Sequence, residues 1–220
     1  IDRLRPEIYN HLSRTAEQPL YIKAHDAYTY LADGRPLFGM ENTRAVYILR
    51  NPLDVAVSYA NHIGRNLDTA VRCIGDASHT MCANEGKLHN QFRQRLLTWS
   101  DHVESWTRQR DIPTHLVRYE DMKLNPVNTF SGIVRFLGIG CTEQRLRDAI
   151  EMSSFSRLKK QEQESGFREK PIHAASFFRK GEVGDWRNHL SAAQRDSLIH
   201  DHGRVMRAFG YLDENGESVF

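Results

Sequence analysis

Short runs of β-branched and aromatic residues alternate along this chain with longer stretches in which apolar residues recur every third or fourth position. Leu4, Ile8 and Leu12 mark one face of an opening helix that ends before Pro19. Residues 20–23 and 44–49 read as buried strands, and Asn51-Pro52 caps and starts a helix carrying Val55 and Tyr59. Residues 61–94 show weak periodicity and many polar positions, so a long excursion with some helix is expected there. Leu96, Trp99, Val103 and Trp106 then fall at helical spacing and predict a core-facing helix with both tryptophans in the core. Residues 115–119 give a third strand, followed by a charged turn at Glu120-Asp121. Asn125-Pro126 opens a helix with Phe130, Ile133, Val134 and Leu137 on its apolar side and Gly138 as its stop, and Thr142 caps the next. Residues 159–170 are charged and poor in apolar residues, so a mobile surface segment is expected. Ser191 and Gln194 form a capping box for a last helix that buries Leu198, Val205 and Phe209 and ends at Gly210. Strands separated by helices predict an α/β fold, a parallel β-sheet flanked by helices, with ligands beyond the carboxyl ends of the strands.

Composition adds bounds to this pattern. With 220 residues, 40% hydrophobic and 26% charged, the chain has the makeup of one globular domain with a full core. A formal net charge of +2 gives no support to bulk nucleic-acid binding and fits a small anionic ligand better. No apolar run approaches the roughly 20 residues that span a bilayer, so no membrane association is expected. Three cysteines, Cys73, Cys82 and Cys141, do not form a disulfide framework, which makes the reducing cytoplasm the default location. Cys73, His79, Cys82 and His89 lie near one another, but their spacings miss those of zinc ligands, and no metal is expected.

Two basic clusters carry the chemistry. One follows a strand, in Tyr47-Ile48-Leu49-Arg50-Asn51-Pro52 with Ser58 eight residues beyond Arg50. The other lies in a glycine-punctuated loop, Phe178-Arg179-Lys180-Gly181-Glu182-Val183-Gly184-Asp185-Trp186. Cations from two remote segments are what clamping a phosphate from two sides requires. The strand ends also place Lys23, His25, Arg50 and Tyr119 on one rim, although each alone has an ordinary reading as salt bridge, core ring or loop histidine.

Both clusters resemble the cytosolic sulfotransferase family, and the resemblance runs from about residue 20 to about residue 211. It implies the sulfotransferase fold, which is similar to that of P-loop nucleotide hydrolases, and 3′-phosphoadenylyl sulfate (PAPS) as sulfuryl donor, with 3′-phosphoadenosine 5′-phosphate (PAP) as product. Arg50 and Ser58 match the family's arginine and serine on the 3′-phosphate. Tyr119, in Val117-Arg118-Tyr119-Glu120-Asp121, matches the tyrosine that contacts the adenine. Arg179, Lys180 and Gly181 match the loop that closes over the same phosphate, and Trp186 matches a tryptophan taken as packing support. Lys23-Ala24-His25 is similar to the family's Lys-Thr-His, which implies His25 as general base and Lys23 as a cation near the leaving oxygen. The implied partner is a hydroxyl-bearing small-molecule acceptor, its pocket formed by residues 61–94 and 159–177.

The chain also departs from the family. No Tyr-Pro-Lys-Ser-Gly-Thr-Thr-Trp loop appears in residues 1–20, and no Gly-x-x-x-x-Gly-Lys-Ser/Thr loop appears anywhere. The reading is therefore of one sulfotransferase domain over residues 1–220, with its first strand and phosphosulfate loop expected upstream of Ile1. The family's dimer segment is changed at each key position in residues 187–196, so the oligomeric state stays open. A kinase-like phosphoryl transferase and an inactive nucleotide-binding module remain as alternatives. The Arg179 loop is expected to become ordered chiefly on binding nucleotide, because its cations otherwise have no partner.

Overall fold

A computed structural model describes residues 2–39, 41–83, 92–171, 174 and 176–220. The fold is α/β, with a parallel sheet flanked by helices. Two compact units make up the chain, one of Ile1–Tyr47 and Cys73–Leu116, the other of Ile48–Arg72 and Val117–Phe220.

In chain order the elements are α1 (Arg5–Thr15), β1 (Ala45–Leu49), α2 (Pro52–Ile63), α3 (Leu67–Ile74), β2 (Thr80–Met81), β3 (Gln94–Arg95), α4 (Trp99–Arg108), β4 (Thr114–Arg118), α5 (Tyr119–Leu124), α6 (Pro126–Leu137), α7 (Glu143–Met152), α8 (Phe155–Ser165) and α9 (Ala192–Ala208). β1 and β4 form one sheet, and β2 pairs antiparallel with β3 in another. The helix ends follow their caps. Asn51 accepts from Leu53 N at 3.0 Å, Gly138 closes α6 at φ +71°, and the Ser191–Gln194 box opens α9.

The first unit is built around Tyr28, Leu37, Phe38, Trp106 and Ile112, with Tyr9, Leu31, Ala45 and Tyr47 packed against them. α1 forms where the periodicity places it, but Leu4 and Ile8 are exposed. Its buried positions are Arg5 and Pro6, because the Arg5 guanidinium pairs with buried Asp26 at 2.9 Å. A buried pair of this kind turns the helix by charge pairing rather than by its apolar face. Residues 20–23 form no strand. Leu20, Tyr21 and Ile22 are exposed, and among the described residues no strand lies beside them to take up their backbone hydrogen bonds.

The second unit packs Leu53, Ala56, Val57 and Ala60 of α2 with Leu198, Val205 and Met206 of α9, and α2 contacts α9 directly. Two expectations change here. The strand ends at Arg118, and Tyr119 with Glu120-Asp121 starts α5 instead of forming a turn. Part of the segment expected to be mobile belongs to α8, where Glu162 is buried as the acceptor for Phe177 N at 2.6 Å, Phe178 N at 3.0 Å and Ser176 Oγ at 2.8 Å. Charged residues there are a solvated helix face plus one internal anchor.

Candidate functional site

The second unit contains a cavity of about 500 Å³, within the usual range for small-molecule sites, lined by Arg50, Ser58, Tyr119, Arg179, Lys180 and Gly181. All six residues singled out for phosphate and nucleotide binding thus border one space. Its apolar wall includes Met122, Phe130 and Phe155.

Arg50 emerges where β1 gives way to the cap of α2, with its guanidinium carbon 4.3 Å above the centre of the Tyr119 ring. Its Nη2 donates to Glu182 O at 2.9 Å. Ser58 lies two turns along α2 with an exposed side chain. Tyr119 begins α5 and donates its hydroxyl to Gly181 O at 3.1 Å, so the position expected against adenine also braces the basic loop. Burial pushes the Tyr119 hydroxyl above its ordinary pKa against the opposing pull of Arg50. Gly181 has φ +65°, and a Cβ there would collide with the Phe155 ring, so no other residue fits this turn without strain.

The loop cations do have a partner, contrary to expectation. Asp185, 4% exposed, accepts from Arg179 Nη2 at 2.6 Å and from Lys180 Nζ at 2.7 Å. Asn188 Nδ2 adds a donor at 3.3 Å, and His189 Nε2 lies 3.2 Å away. Burial alone would raise the Asp185 carboxyl, but these donors outweigh it and hold it well below the usual carboxylate range. Asp185 therefore supplies, from within the loop, a partner for both cations. Asp54, Glu162 and Asp185, each buried and holding this loop, were not identified from the sequence, where an isolated Asp or Glu carries no local signal. Glu120 was also read otherwise: it is fully buried and accepts from Asn51 N at 3.0 Å and Tyr211 Oη at 2.9 Å.

Lys23 and His25 belong to the first unit, both exposed and outside regular structure. The backbone beside them is held by His102, Ser105 and Trp106, which lie on one face of α4. His102 Nε2 lies 3.1 Å from His25 O, Trp106 Nε1 donates to Asp26 O at 3.0 Å, and Tyr28 N donates to Ser105 Oγ at 2.9 Å. A carbonyl oxygen only accepts, so His102 carries its proton on Nε2. Nδ1 then accepts from the Tyr47 hydroxyl, 2.9 Å away. Burial lowers the His102 pKa from its ordinary value, in keeping with this neutral tautomer.

Among the described residues no group of His, Cys, Asp or Glu is placed to hold a metal ion, and His89 of the Cys73, His79, Cys82 and His89 set lies outside the described residues. Several residues of the expected acceptor segments, 84–91 and 172, 173 and 175, also lie outside them. Tyr28 is a core residue hydrogen-bonded to Asp111 at 2.9 Å. Phe167 packs against Phe177 and Phe178. No helix among the described residues is long and apolar enough to cross a membrane.

A family model for the sulfotransferase domain matches residues 3–210. Sulfotransferase 6B1 of Danio rerio is 30% identical over 170 residues, covering 74% of this chain and 53% of that protein. Sulfotransferase 1C2 of Homo sapiens is 26% identical over 205 residues, covering 88% and 64% respectively. The chain thus spans between half and two thirds of the length of these relatives. Among solved structures, mouse sulfotransferase SULT7A1 complexed with PAP matches with a TM-score of 0.54 at 24% identity, over 78% of this chain and 60% of that one. Retinol dehydratase in complex with androsterone and inactive cofactor PAP matches with a TM-score of 0.59 at 21% identity, over 81% and 52%. These likenesses establish the fold.

Proposed function

The chain belongs to the sulfotransferase domain family, and on that premise we propose that it transfers the sulfuryl group of PAPS to a hydroxyl of a small-molecule acceptor, releasing PAP. The observation that carries this reading is the convergence of Arg50, Ser58, Tyr119, Arg179, Lys180 and Gly181 on one cavity. Three cations, an exposed hydroxyl and a close-packed glycine suit a phosphate monoester attached to a flat, partly apolar body. Relatives solved with PAP support the same donor. One family model spanning both compact units supports their reading as a single sulfotransferase domain.

When bound, PAPS supplies an activated sulfuryl group. Arg50, Arg179 and Lys180 hold the 3′-phosphate, with Ser58 as a further donor, and Tyr119 faces the nucleoside while bracing Arg50 from below. His25 takes the proton of the acceptor hydroxyl as that oxygen bonds to sulfur, and Lys23 stabilises the charge that gathers on the departing oxygen. The brace from His102 keeps the His25 backbone in place for this task. The acceptor is a hydroxyl compound, and the resemblance to the cytosolic sulfotransferases supports a cytoplasmic setting.

Transfer of radiolabelled sulfate from PAPS to a panel of phenols and alcohols, using the longest available form of the protein, tests this. Sulfated product is expected. Phosphoryl transfer from ATP in place of sulfation would establish the kinase-like alternative, and PAP binding without turnover on any acceptor would establish an inactive nucleotide-binding module.

A further inference from the structure

The cations of the cavity stand on two segments far apart in sequence, the turn into α2 and the loop after α8. Asp54 joins them. It is 2% exposed and is absent from the cavity wall. Its Oδ2 accepts from Gly184 N at 2.9 Å and from Arg50 Nη2 at 3.4 Å, and its Oδ1 accepts from Trp186 N at 3.0 Å. Helix capping does not account for these bonds, because Asn51 already caps α2.

The two amides flank Asp185, the residue that holds Arg179 and Lys180. A buried carboxylate satisfied by amides 130 and 132 residues away therefore sets the backbone on which the loop's own acid sits. Arg50 is tied to the same loop a second time through Glu182 O. The order runs from Asp54 to the Gly184 and Trp186 amides, from there to Asp185, and from Asp185 to the two loop cations.

We propose that Asp54 is a positioning residue of the anion site, holding Arg50 and the Arg179–Lys180 loop in register so that phosphate affinity depends on a negative charge that does not touch the ligand. The proposal rests on the nucleotide-binding reading above. It makes a prediction opposite in sign to simple electrostatics. A carboxylate beside an anion site repels the anion, so if Asp54 were a bystander, its neutralisation would strengthen binding. If it positions the clamp, neutralisation weakens binding, because asparagine offers one acceptor oxygen where two amides need one each.

The experiment compares the parent chain with Asp54→Asn by calorimetric titration of PAP and by hydrogen exchange without nucleotide. PAP affinity should fall at least tenfold, and exchange at the Gly184 and Trp186 amides should accelerate while the α9 amides keep their protection. Equal or tighter PAP binding by the variant, or unchanged exchange at those two amides, would overturn the proposal. Exchange needs no ligand, so a parent that binds no PAP but shows the exchange difference on substitution refutes the donor reading and upholds the positioning role. Should Asp54→Asn not fold, Asp54→Ser, which keeps a residue suited to the first turn of a helix, is read by the same criteria. If neither variant folds, Asp54 supports the unit as a whole and the specific role is overturned.

Discussion

Arg50 rests face-on over Tyr119, its guanidinium carbon 4.3 Å from the ring centre, while the Tyr119 hydroxyl reaches Gly181 O at 3.1 Å. One tyrosine thereby supports the arginine on one side of the cavity and the loop on the other. Arginine suits this position better than lysine, because its flat cation stacks on the ring while its edge donors stay directed outward. The parts of this clamp can be tested one at a time.

Alanine at Arg50 or at Arg179 should each weaken PAP binding by about 1.5–3 kcal/mol, the range for hydrogen bonds to charged groups. Circular dichroism should report an intact fold. Titration calorimetry reads the affinity, and parental binding by both variants would refute the two-sided clamp.

His25→Ala should lower turnover by roughly 10² or more, the usual contribution of a general base, with PAP affinity essentially unchanged. Near-parental turnover would remove His25 from the mechanism and leave Lys23 as the better candidate. Single-turnover rates at saturating donor make the comparison.

His102 is half-buried, and its removal from water holds its pKa below the ordinary value of 6.5. The unfolded chain therefore binds a proton at a pH where the folded chain does not. The His102 contribution to stability is complete above about pH 6.5 and is lost as pH falls toward the lowered folded value. Denaturant titrations from pH 7.5 to pH 5 should show stability declining, and His102→Gln should flatten that decline. An identical slope in the variant would contradict the lowered pKa of His102 in the fold.

Gly181→Ala combines a left-handed backbone with a collision against Phe155. The backbone part alone should cost about 1–2 kcal/mol. Nucleotide affinity should drop with it, because the Arg179 and Lys180 backbones sit directly before this turn. Adding Phe155→Ala should recover part of the affinity and none of the backbone cost. A double variant no better than the single one would place all of the effect in the backbone.

Local features of the sequence were enough to locate most helices, while the resemblance to the sulfotransferase family picked out the six residues that border one cavity. Caps such as Asn51-Pro52 and Ser191 with Gln194 act within a few residues, so they are legible wherever they occur. The same holds for the Arg179-Lys180-Gly181 loop, whose glycine is required by its own φ and by one neighbouring ring. The strand expected at residues 20–23 shows the limit of this reasoning: β propensity becomes a strand only where another strand supplies hydrogen-bond partners. α1 shows it again, since Arg5 and Asp26 pair across 21 positions and override the apolar face of Leu4 and Ile8. Tertiary structure alone decided which acids matter. Asp54, Glu120, Glu162 and Asp185 resemble any surface carboxylate in the sequence. Each becomes an internal anchor when folding removes it from water and brings to it donors that are as many as 132 residues distant in the chain, because a buried carboxylate is stable only where such donors converge.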